Sequence, residues 1–154
     1  MEIDTLLSAP VHLNHLLIPL MMRHNWPSLI VNVTSGGVFI PQVFAPVYSA
    51  CKAALHGYTV TLRHALQQTQ VRVVELVPPA VQTALAGPGA AHGVPLDEFC
   101  DEVFPPLVRG NRDMVGFGPT NTPDFKRMLE ASVPLFKASS SRFPVVTYSP
   151  DRSA

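Results

Sequence analysis

An α/β fold built on a parallel sheet is predicted by three observations. Two short runs, Leu29-Ile-Val-Asn-Val-Thr34 and Val71-Arg-Val-Val-Glu-Leu-Val77, are almost wholly apolar, as strands covered on both faces are. Between them lies helical periodicity long enough for a crossover, and a strand–helix–strand unit of this kind closes right-handed. Each run also ends on turn formers: Ser35 leads into Gly36-Gly37, and Pro78-Pro79 follows Val77.

In chain order, residues from about 3 to 24 carry Leu6, Leu7, Val11, Leu13, Leu17, Leu20 and Met21 at roughly helical spacing. Pro10 and Pro19 fall within that helix and are expected to make its first turns irregular. Asn25-Trp26-Pro27-Ser28 breaks it ahead of the first strand. After a loop over Gly36 to Ala45, Pro46 suits the first position of a helix that runs to about Gln68. Its buried stripe is expected to be Val47, Cys51, Ala54, Tyr58, Leu62 and Leu66. Beyond Thr83 the sequence turns to Ala, Gly and Pro, through Ala84 to Gly93, and is expected to form a mobile loop that closes over a ligand. Pro95 opens a third helix to about Arg109. A short strand follows over Met114 to Phe117, then a fourth helix from Pro123 to about Leu135. The segment from Ala138 has no periodicity and reads as a loose tail, 138–154.

Composition narrows the function. The chain has 154 residues and zero formal net charge, which gives no electrostatic case for a nucleic-acid partner. Apolar residues reach 47% against 14% charged, so part of the surface is expected to be apolar and used for subunit contacts or ligand. Cys51 and Cys100 make no redox or metal-type pair, which suits a reduced, cytoplasmic setting. Glu2 and Asp4 stand where a signal peptide carries positive charge. The apolar run Leu16 to Met22 is short and interrupted by Pro19, so no membrane span is expected. No metal site is expected either. His12 and His15 have no acidic or cysteine partner nearby, and His56 and His64 are expected to face outward or to pack at an interface.

Three polar residues stand out against this apolar background. Ser35 closes the first strand, and Tyr48 and Lys52 follow as i and i+4 on one face of the next helix. The carboxyl end of a parallel strand and an adjoining helix face are where an open α/β sheet presents polar groups to a ligand. A phenol has an ordinary pKa of about 10, so a cation one turn away serves proton transfer near neutral pH.

Three segments in register, Ile30-Val-Asn-Val-Thr-Ser-Gly36, Tyr48-Ser-Ala-Cys-Lys52-Ala-Ala-Leu55 and Val77-Pro-Pro-Ala-Val-Gln-Thr83, resemble the short-chain dehydrogenase/reductase family. The Pro-Pro pair, where many members have Pro-Gly, resembles its DltE-like branch. The likeness covers about residues 2 to 137, and residues 1–137 are taken as one partial domain. It implies a Rossmann-type doubly wound parallel sheet of which only the C-terminal half is present, about three strands with flanking helices. It also implies an oxidoreductase that interconverts an alcohol and a carbonyl of a small molecule with NAD or NADP. In that scheme Tyr48 exchanges a proton with the substrate oxygen, and Ser35 hydrogen-bonds that oxygen. Lys52 acidifies the phenol by its charge and binds the nicotinamide ribose. Pro78, Val81 and Thr83 meet the nicotinamide end of the cofactor, Thr83 through its carboxamide.

The chain departs from the family pattern in two ways. The family's opening unit, with its Thr-Gly-x-x-x-Gly-x-Gly turn for the pyrophosphate, is not in this sequence; Gly87, Gly89 and Gly93 have the wrong spacing and follow a loop. By register from Ala9-Pro10, the fourth catalytic position, usually Asn, falls on Leu6, which cannot hold a proton-relay water. The alternative implied by these gaps is a catalytically dead remnant that serves as a dimerisation module. It would form a homo-oligomer through the first two helices, which build the dimer interface in the family.

Overall fold

A computed structural model describes residues 1–24, 26–86, 92–142 and 144–148. Among these residues the α-helices and strands follow one another as α1 (Ala9–His24), β1 (Ser28–Val33), α2 (Pro46–Leu66), β2 (Val71–Val77), α3 (Leu96–Arg109), β3 (Met114–Gly116), α4 (Pro123–Glu130) and α5 (Val133–Ser140). The strands form one parallel sheet in the order β1-β2-β3, with Ser28 opposite Val71 and Glu75 opposite Met114. Helices cover both faces, which is the α/β arrangement the two apolar runs predict.

Alternation along the strands explains the two layers. Ile30, Val71 and Val73 meet Ile18 of α1 and Leu62 and Leu66 of α2 on one face. Val74 and Val115, with Leu29, Val31 and Leu76, meet Phe99, Val103 and Leu107 of α3 on the other. Successive side chains of a strand point to opposite faces, so β1 and β2 each serve both cores at once.

Three local differences from the expected elements have physical reasons. Ahead of α1 the chain makes a wider π turn over Asp4–Ser8, in which the Ala9 N–H reaches Asp4 O. Pro10 follows directly; its ring crowds the carbonyl of Leu6 and it has no N–H to give, so the wider turn relieves the start of the helix. The helix then passes through Pro19 without a break. As a result Asp4–His24 is one 21-residue helix, long and apolar enough to cross a membrane by length and composition. Pro19 therefore does not interrupt the apolar run Leu16 to Met22, contrary to expectation.

The buried stripe of α2 is the second difference. Cys51, Leu55, Thr59, Leu62 and Leu66 are buried, while Val47 and Ala54 are exposed and Tyr58 is only partly covered. The helix is rotated because Thr59 is drawn inward. Its hydroxyl donates to Leu55 O at 2.7 Å and accepts from Asn32 Nδ2 at 3.0 Å. Asn32 Oδ1 in turn accepts from Asn14 Nδ2 of α1 at 2.9 Å. This polar line pins both helices to the middle of β1.

The third concerns the C-terminal segment. Residues 138–140 belong to α5, and Tyr148 packs against the cluster formed by Ile18, Leu62 and Leu66. Tyr58 packs against the same cluster, and burial chiefly, then the neighbouring phenol of Tyr148, pushes its hydroxyl up from 10.0 to about 12. A phenol that holds its proton more tightly in the folded chain gives stability that is complete below pH 10.0 and is lost as pH rises toward about 12. Melting temperature is therefore expected to fall across that window, and to fall less in Tyr58→Phe. Equal slopes for the two proteins would remove Tyr58 as the cause.

Candidate active site

The carboxyl ends of β1 and β2 set the site. After Val33 the chain leaves the sheet through Thr34 and Ser35, and a single 3₁₀ turn over Gly36–Val38 brings it against α2. Ser35 is buried, and its Oγ accepts from the Gly37 N–H at 3.1 Å, which fixes the hydroxyl at the head of that turn. The Gly36 N–H donates to Pro78 O at 3.3 Å, so the turn after β1 is tied to the turn after β2.

Helix α2 starts where its sequence dictates, with Pro46 in the first position, where a missing N–H costs nothing. Ser49 Oγ accepts from the Gln42 N–H at 2.9 Å and anchors the preceding loop. Tyr48 and Lys52 stand one turn apart on the same face, with Lys52 Nζ 5.7 Å from the centre of the Tyr48 ring. Lys52 also donates to Val33 O at 2.7 Å. Burial holds its ammonium below the usual 10.5, with a small opposing effect from Cys51. The structure thus brings Tyr48 and Lys52 together and ties Lys52 to Val33, two residues before Ser35 in the chain.

Of the remaining expected contacts, Pro78 sits at the end of β2 and shares the tie to Gly36 described above. Val81 forms a parallel bridge with Val94, closed by Val94 N–H to Ala80 O and Gln82 N–H to Val94 O, both 2.9 Å. Gly93 makes this possible with φ of +104°, where a side chain would run into Ala80. Thr83 is exposed at the start of the next loop. Of the loop expected over Ala84 to Gly93, Ala84–Ala86 form a 3₁₀ turn, and residues 87–91, with Gly87 and Gly89, lie outside the described residues. Leu6 is partly covered in the π turn, and a leucine side chain offers no hydrogen bond there.

Two residues of the site were not foreseen. His56 does not face outward: its Nδ1 lies 2.9 Å from Oε2 of Glu75, a residue 1% exposed in the middle of β2. Glu75 Oε1 also accepts from Thr34 Oγ1 at 2.6 Å. The available signal was a carboxylate inside an otherwise apolar strand, which needs buried donors.

The chain as a whole resembles known proteins. The short chain dehydrogenase family profile matches residues 2–92. The chain is 35% identical over 140 residues to the uncharacterized oxidoreductase DltE of Bacillus subtilis (strain 168), which covers 84% of this chain and 55% of that protein. It is 29% identical over 115 residues to the short-chain dehydrogenase virD of Hypocrea virens, covering 70% and 39%. Among solved structures, a short-chain dehydrogenase from Sphingobium yanoikuyae in complex with NADPH superposes with a TM-score of 0.70 at 19% identity, over 95% of this chain and 57% of that one. A short chain dehydrogenase from Burkholderia cenocepacia J2315 in complex with NADP gives 0.54 at 20% identity, over 77% and 49%. The chain spans about half the length of the curated relatives it matches.

Proposed function

The chain belongs to the short-chain dehydrogenase family, on its DltE-like branch, and we propose that it carries the proton-handling part of an oxidoreductase that interconverts an alcohol and a carbonyl. The observation that carries this reading is the Tyr48–Lys52 pair on one helix face, with Lys52 reaching the strand end beside Ser35. Bound NAD or NADP supplies or accepts the hydride at the substrate carbon. The Ser35 hydroxyl orients the substrate oxygen, and Tyr48 gives that oxygen its proton in reduction or takes it in oxidation. An ammonium has three N–H groups, and Val33 O uses one, so Lys52 keeps two for ribose hydroxyls. In this reading Pro78 and Val81 wall the nicotinamide end, and Thr83, which is exposed, donates its hydroxyl to the carboxamide. The donor set therefore fits the nicotinamide and its ribose. Among the described residues, no Gly-rich turn joins a strand directly to a helix to hold a pyrophosphate.

One observation favours a second reading, a non-catalytic chain that self-associates through α1 and α2. Leu13, Leu16, Leu17 and Leu20 of α1 remain between 43% and 54% exposed. An apolar stripe of that kind suits burial against a second copy.

One titration separates the two. Nicotinamide fluorescence is expected to rise and saturate as the chain is added to NADPH or NADH, with a dissociation constant below about 1 mM. No change at millimolar cofactor, together with a dimer on size exclusion, would leave only the second reading. Unequal affinity for the two cofactors would choose between NAD and NADP.

A further inference from the structure

Glu75 is buried in the middle of β2 yet carries a carboxylate, which is costly unless donors meet its oxygens. Thr34 Oγ1 donates to Oε1 at 2.6 Å, and His56 Nδ1 lies 3.1 Å from Oε1 and 2.9 Å from Oε2. A carboxylate only accepts, so the proton of a neutral His56 sits on Nδ1. Phe39 packs edge-on against the same ring with centroids 5.0 Å apart, and is itself edge-on to Phe125 at 5.7 Å. The imidazole is thus held by a bond on one side and by aromatic packing on another.

Both partners of Glu75 are one step from the reacting groups. Thr34 directly precedes Ser35. His56 is one turn beyond Lys52 and two beyond Tyr48 on the same face of α2. The carboxylate therefore joins the strand end that carries the hydroxyl to the helix that carries the phenol and the ammonium. Lys52 spans the same gap through Val33 O, but its ammonium has other work in the proposed reaction. The bond between His56 and Glu75 is free of that duty.

We infer that Thr34, His56 and Glu75 are positioning residues, a buried clamp that keeps Ser35 in register with Tyr48 without touching substrate. What the register serves rests on the redox reading above. The clamp itself is measurable with no cofactor present.

Amide hydrogen exchange followed by NMR on the whole chain reads it directly. The Gly37 N–H donates to Ser35 Oγ and the Thr34 N–H to Leu76 O, so both report order at the strand end. Glu75→Gln and His56→Leu are expected to speed exchange at Thr34 and Gly37 about tenfold or more, while Val74 in the centre of the sheet keeps its rate. His56→Asn places an amide nitrogen near the position of Nδ1 and is expected to restore protection. Faster exchange at all three amides alike is what a merely structural pair gives, and it overturns the inference, as does no change at Gly37. In a turnover assay the same variants are expected to lower kcat with KM unchanged. Selective loss of protection in a chain that binds no cofactor would uphold the clamp and remove only the redox reading.

Discussion

Replacing Tyr48 by phenylalanine is expected to slow NADPH-dependent carbonyl reduction by about 10²- to 10⁴-fold, the usual worth of a positioned proton donor. The change removes one oxygen and keeps the ring over which Lys52 Nζ sits, 5.7 Å from its centre. Tyr48 lies in the first turn of α2 and is only partly covered, so the fold loses little. The assay is the loss of nicotinamide absorbance with a small aldehyde or ketone, run beside a thermal melt. A variant as fast as the parent would sink the role given to Tyr48. A slow variant with an unchanged melt would separate chemistry from folding.

The largest effect on stability is expected at Ile18. It is completely buried and packs with Ile30, Leu62, Leu66, Val71 and Val73. Helix α1 buries only one other side chain, Asn14, so Ile18 supplies its main apolar hold on the sheet. Ile18→Ala is expected to cost about 2–5 kcal/mol, a large share of the roughly 5–15 kcal/mol by which a domain is stable. Leu17, next to it and 43% exposed, is the control: Leu17→Ala is expected to change stability by no more than about 0.5 kcal/mol. Urea unfolding followed by circular dichroism compares the two. Equal midpoints for both variants would mean that α1 is held in some other way.

The contrast between these neighbours shows what the sequence made legible. Buried parallel strands announce themselves by apolar runs with firm stops, so β1 and β2 were readable almost to the residue. Helix α2 was readable in extent, because Pro46 marks its start, but not in rotation. Periodicity cannot tell a stripe through Tyr58 from one through Thr59 when both residues are half polar. The choice was made by Asn32, whose amide needs a partner and finds it 27 residues away. His56 and Glu75 were missed for the same reason. They are 19 residues apart, and only sheet register combined with helix rotation brings them together. The family motif points to Ser35, Tyr48 and Lys52 but says nothing of the buried bonds beneath them.

One bond bears on how this sheet avoids unwanted company. The Thr34 N–H and the Gly36 N–H both turn toward β2, so by alternation Val33 turns the other way, to the side of β1 that has no neighbour among the described residues. Its carbonyl is the one that Lys52 occupies. An amphiphilic chain approaching that side to extend the ladder would have to displace an ammonium ion at the carboxyl end, where strand addition otherwise finishes. Lysines on open sheet borders discourage such recruitment, so the residue proposed to grip a sugar would also hinder strand addition at that end.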